Sequence, residues 1–284
     1  MKKLLIVATV LFGGVSFAQT TEAEADLKKI STDTVSSWKK GALFNLGFSQ
    51  VSLSNWAAGG NNTVSGNVIV NLHANYSDEK QSWQNTLNMG YGVLKQNKED
   101  VQKTDDNLEF TSKYGKKASE HWSYAGLINF NTQFSVGYDD VDKTNKISTF
   151  LAPGYLLGAI GMDYKPTSYF SVFISPITSK TTIVTDENLS NVGAFGVEIG
   201  EQHRNEFGGY LRANFTKEIM KNINLTSTLG LFSNYVENPE NVDVNWEMLI
   251  LMKVNKYITV SINTKLIYDH DITIAGDDLS LIHI

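Results

Sequence analysis

The chain has 284 residues, no cysteine and a net charge of −6. Without cysteine it is neither a disulfide scaffold, a thiolate zinc site nor a cysteine enzyme. The modest acidic balance argues against a nucleic-acid binder, which needs a basic face.

Met1-Lys2-Lys3 is a short basic segment, Leu4 to Val15 is apolar, and Ser16-Phe17-Ala18 reads small-x-small. The pattern predicts a cleaved secretory signal peptide over 1–18. Residues 19–40 are polar and charged and read as a periplasmic lead-in. Residues 41–284 read as one domain. No run of 18 apolar residues follows the N-terminus, so no helix is expected to span a membrane.

Gly41–Leu53 is the first predicted strand. Phe44, Leu46 and Phe48 share one face, whereas Val51 and Leu53 fall on the other. That slip predicts a β-bulge near Ser49-Gln50 or a change of environment there. A glycine- and asparagine-rich loop carrying Trp56 follows.

Thr63–Val93 holds the cleanest period of two. Val64, Val68, Val70, Leu72 and Tyr76 alternate with Ser65, Asn67, Asn71, His73 and Asn75. After the short turn Ser77–Gln81, Trp83, Leu87, Met89, Tyr91 and Val93 alternate with polar or small residues. One face is apolar and the other carries amides and a histidine.

The pattern then repeats. Strands are predicted around Asn107–Tyr114, Trp122–Phe134, Phe150–Tyr164 and Tyr169–Ser175. Pro176–Asn205 reads as the longest loop. Further strands are predicted around Phe207–Phe215, Ile223–Tyr235, Val242–Val254 and Ile258–Tyr268. Short breaks alternate with long ones, as in barrels with short periplasmic turns and long external loops. Tyr76, Trp83, Tyr114, Trp122, Tyr164 and Tyr169 fall at short-turn ends. Tyr91, Phe134, Tyr155, Phe207, Tyr235 and Tyr268 fall near the other ends. Two aromatic girdles at membrane interfaces account for this placement.

The expected fold is therefore all-β, an antiparallel up-and-down transmembrane β-barrel with eleven visible strands and about twelve when complete. A mean hydropathy of −0.19 agrees, because lipid-facing and lumen-facing residues average out. The segment Asp277–Ile284 is too short to span a membrane, and the last strand is expected to be truncated in this sequence.

Four segments resemble the secreted bacterial family of domain of unknown function 3078. They are Ser49–Asn61, Lys103–Gly115, Gly161–Pro166 and Asn238–Glu247, and the resemblance covers about Trp38 to Asp271. It implies an outer-membrane-type barrel and brings no biochemical activity with it. The family normally continues into one more strand.

The candidate lumen-lining residues are His73, Glu109, Lys113, Arg212, Glu247, Lys253 and Lys265. A mixed-charge wall selects a solute, or, as the plainer reading, its salt bridges close a narrow barrel. His73 lies among asparagines with no placed serine nucleophile, which disfavours a hydrolase. Asp139, Asp140 and Asp142 fit no calcium-loop spacing and read as a solvated loop, so neither metal nor cofactor is expected. Trp56 is a loop contact candidate.

The expected function is passive permeation of small or amphipathic solutes through a non-enzymatic outer-membrane barrel. The alternatives are a non-transporting assembly or interaction barrel of the envelope and, less favoured, a lipid hydrolase. The expected partners are outer-membrane lipid, the barrel-assembly machinery and a small-molecule solute, with no nucleic acid.

Overall fold

The structure is a computed structural model that describes residues 37–54, 60–139, 143–255, 258–269 and 281–283. The expected signal peptide, nearly all of the lead-in, Trp56, Asp140 and Asp142 lie outside these residues.

Long strands of alternating side chains dominate. They are β1 (Ser37–Val51), β2 (Thr63–Ser77), β3 (Gln81–Gln96), β4 (Gln102–Lys117) and β5 (Trp122–Thr132). A small hairpin follows, β6 (Gly137–Tyr138) and β7 (Lys146–Ser148). Then come β8 (Gly154–Thr167), β9 (Phe170–Ile183), β10 (His203–Met220), β11 (Ile223–Asn234), β12 (Val242–Lys253), β13 (Thr259–Tyr268) and the three-residue β14 (Leu281–His283). Except for β6 and β7, which pair with each other, all belong to one sheet in chain order. Every neighbour is antiparallel. The fold is an all-β up-and-down meander of eleven long strands.

The side chains are distributed inside out. Phe44, Leu46 and Phe48 are 67%, 68% and 69% exposed on one face of the sheet. Burying such a side chain gains about 2 kcal/mol, so this face is costly in water. The opposite face hides polar groups: Asn71, Asp163 and Glu206 are 6%, 3% and 4% exposed. Among the described residues, the apolar core on that face is small, with Ala125, Leu127, Ala159 and Phe173 packed beside Leu157 and Tyr210.

Four sequence expectations change. The β1–β2 register runs unbroken from Ser37↔Ser77 to Val51↔Thr63, so no bulge lies at Ser49-Gln50. Val51 is a half-exposed strand end, which is the change of environment.

The second change is at Pro176. β9 does not stop at Ser175 but continues to Ile183. Ser171, Phe173 and Ser175 face inward, then Thr178 and Thr182 do so. The parity flips across Pro176-Ile177, where both flanking ladders slip. Proline donates no ladder hydrogen bond, and a bulge is where a strand accommodates it. Ser175 Oγ sits 2.9 Å from the Ile160 carbonyl and 2.8 Å from the Ile177 carbonyl, and accepts from Thr178 Oγ1 at 2.8 Å. A Cβ at Gly161 would overlap the Ile174 carbonyl, so glycine is required at this crowded point.

The third concerns the loop now bounded by 184–202. It folds on a small core of its own. Val184, Leu189 and Val197 bury against Ala152 from the preceding long connection, with Phe195 packed on them. Asp186 caps the one-turn helix Glu187–Ser190, accepting from Asn188 N at 3.1 Å and Leu189 N at 3.2 Å. It also pairs with Lys146 of β7, so the two long connections are tied together. That hydrogen bond from Lys146, foremost, holds the Asp186 carboxyl below its ordinary range.

At the short-turn end, Trp38, Tyr76, Trp83 and Tyr114 are lateral partners across β1 to β4. The Trp38 ring centroid lies 5.5 Å from Tyr76 and 5.7 Å from Trp83. Trp122 and Tyr164 continue the belt at 4.6 Å. Tyr155, expected in the opposite girdle, faces the interior instead, within electrostatic reach of Lys180.

Candidate functional site

The polar face carries its ionised groups in three tiers along the strands. Nearest the short turns, Lys113 of β4 reaches Asp163 of β8 at 3.0 Å, across the intervening β5. Lys165 holds the other oxygen of Asp163 at 3.1 Å.

The middle tier gathers four of the residues singled out in the sequence. Glu109 accepts from Asn88 Nδ2 at 3.4 Å and Asn129 Nδ2 at 3.2 Å. Arg212 of β10 hydrogen-bonds Tyr210 and is within electrostatic reach of Glu109 and Glu247. Glu247 pairs with its cross-strand partner Lys265 at 3.3 Å. Lys265 in turn is within electrostatic reach of Asp105 on β4. Groups from β4, β10, β12 and β13 thus address one another across the concave face.

The tier nearest the long loops centres on Lys180. Its Nζ lies 2.7 Å from Asp243, 3.1 Å from Asp269 and 3.4 Å from Glu206. It also stands 5.3 Å from the Phe232 ring centroid. Arg204 adds a contact to Glu206 at 3.4 Å.

Sequence reasoning missed Lys180, Asp163 and Glu206. Lys180 fell in Pro176–Asn205, read as loop because Pro176 hid the continuation of β9, and Glu206 fell just before the strand expected from Phe207, whereas β10 begins at His203. Asp163 fell in a strand apolar on both faces, where alternation carries no side information. Lys253 is exposed at the short-turn end of β12.

His73 is held against the wall. Its ring covers Gly41 of β1, and its Nδ1 has no hydrogen-bond partner among the described residues. A general base needs a nucleophile and an orienting group within reach, and His73 Nδ1 has neither. No group of three or more His, Asp or Glu side chains is arranged to hold a metal ion among the described residues. Asp139 accepts a hydrogen bond from Asn145 at 2.6 Å. An open depression of about 410 Å³ lies on the wall of β9 to β12, lined by Phe170, Phe215, Leu229 and Trp246.

Fold and interior together define an all-β antiparallel sheet with an apolar outer face and an ionic, amide-rich inner face. A family model described as "Protein of unknown function (DUF3078)" matches residues 48–138. The chain is similar to that family over this span, which runs from the end of β1 to β6. Of the four resembling segments, Ser49–Asn61 and Lys103–Gly115 fall wholly within it. No curated protein matches the chain.

Proposed function

We propose that this chain is a non-enzymatic β-barrel of the bacterial outer membrane that lets small or amphipathic solutes permeate passively. The observation that carries this reading is the inverted side-chain distribution. Large apolar residues such as Phe44, Leu46 and Phe48 face outward, and ionised groups face inward. Lipid covers such an outer face, and water such an inner one. The row Trp38, Tyr76, Trp83 and Tyr114 suits a membrane interface. The basic and apolar start, Met1 to Ala18, supplies the export signal.

Planar-bilayer recording tests the reading. Discrete conductance steps are expected from the purified, folded protein. Silence across voltages and solutes would overturn permeation.

A second reading, an envelope interaction barrel, is favoured by the packed long loops. Val192 and Ile199 are 73% and 79% exposed on the 184–202 segment. Crosslinking from these positions in intact cells should capture a specific envelope partner, and its absence would count against this reading.

A further inference from the structure

We infer that the inner wall of β1 to β4 is a binding surface for uncharged, polyhydroxylated solutes of the carbohydrate class. This rests on the permeation reading and names the solute. Two lateral rows cross the wall. One runs Asn71↔Asn88↔Glu109, and the next His73↔Thr86↔Thr111. Amides and hydroxyls both donate and accept, as sugar hydroxyls do.

The wall is also built low. A Cβ at Gly41 would overlap the His73 ring, and one at Gly47 would overlap the Asn67 amide. These side chains therefore lie along the neighbouring strand rather than across the lumen. The packed apolar cluster of Ala125, Leu127, Ala159 and Phe173 lies on β5, β8 and β9 instead. The inner face is thus asymmetric in chemistry, apolar on β5, β8 and β9 and amide-rich on β1 to β4.

At the level of these two rows the chemistry favours a neutral solute. Glu109 is engaged by two amides and lies within electrostatic reach of Arg212, so it offers no unbalanced charge to an ion. Apolar solutes would strand the amides without partners. Two atoms already lack one: Asn71 Nδ2, in a residue 6% exposed, and His73 Nδ1. A rotation that turns either group to the lumen forfeits no hydrogen bond. Their presence is otherwise a cost, because a shielded polar group without a partner destabilises the fold.

The test uses the full-length protein in liposomes, with ion conductance measured in parallel. Swelling is compared for a neutral disaccharide, a dicarboxylate and a diamine of similar size. The disaccharide is expected to enter fastest. Asn71→Leu removes the unpartnered amide at nearly constant volume, so folding is expected to be unharmed or improved. Disaccharide entry should fall about threefold to tenfold, one hydrogen bond's worth, with ion conductance held. His73→Leu is the second variant and should also lower disaccharide entry. Ion conductance without disaccharide preference, or variants that leave disaccharide entry unchanged, would overturn the inference while permeation stands. A protein silent to ions and solutes alike would overturn both.

Discussion

Lys180 on β9 and Asp243 on β12 form an ion pair at 2.7 Å although β10 and β11 lie between their strands. In a flat sheet, three strand spacings would separate the backbones by about 14 Å. The pair therefore requires a curved sheet with both side chains on its concave face. Lys113–Asp163, across β5 alone, spans two strand spacings of about 10 Å in all, and places both side chains on the same face at the other end. Lys180→Met should leave Asp243, Asp269 and Glu206 facing one another without their shared cation. A loss of about 3 kcal/mol is expected, typical of breaking a buried pair by removing one partner. Heat-dependent gel migration of the folded protein reads it, and Lys180→Arg should retain most of the stability.

The two faces of β1 should respond oppositely to a charge. Leu46→Arg places a cation on the outer face and should cost about 2–4 kcal/mol in folding into liposomes if that face meets lipid near the midplane. Asn45→Arg, one residue away and inward, should cost much less. Equal effects would remove the basis for a lipid-covered wall.

Asp78 makes the β2–β3 turn sensitive to acid. Its carboxyl is lowered to about 2, first by the backbone N–H of Lys80 and then by the Tyr76 hydroxyl. The folded value lies below the ordinary 3.8, so the carboxylate stabilises the turn above that value. The contribution is lost as pH falls from there through about 2. Amide exchange at Lys80 and Gln81, monitored by NMR and corrected for intrinsic rates, should lose protection only in that window. Asp78→Asn should show no such step.

The loop core hangs on Asp186. Asp186→Ala removes the cap of Glu187–Ser190 and the pairing with Lys146 together. About 1–2 kcal/mol of local stability should go, the usual loss for a helix cap with its charge partner. Limited proteolysis should then nick the 184–202 segment, while the heat-dependent migration of the sheet stays unchanged.

Gly161→Ala should be among the most damaging small substitutions. The added Cβ would meet the backbone carbonyl of Ile174, which cannot move without opening the β8–β9 ladder beside the bulge. Gly158→Ala, on the same strand with open space around it, is the control. A folded yield unchanged by both would contradict the crowding at the bulge.

Much of this architecture was legible along the chain. Val64 to Val93 alternate so regularly that β2 and β3 begin and end within a few residues of the pattern. The short turns were equally plain, because charged and glycine-containing breaks interrupt the period. What alternation supplies is the relative facing of residues within one strand, and only until something changes its phase. Pro176 changes it. Beyond that proline the inward set moves from Ser171, Phe173 and Ser175 to Thr178 and Thr182, and Lys180 turns inward with them. The same limit hid Tyr155, whose aromatic character suggested an interface while its neighbours place it beside Lys180.

The sequence by itself determined most of the long strands, their antiparallel order and, where alternation is clean, the polarity of each face, because a period of two and short turns are local properties. Only the tertiary structure decided which ionised groups meet. Glu109, Arg212 and Glu247 come from β4, β10 and β12, and Lys180 meets Asp243 and Asp269 from strands far along the chain. Those encounters depend on the curvature and stagger of the whole sheet, which add up from small twists at every strand and are written at no single position.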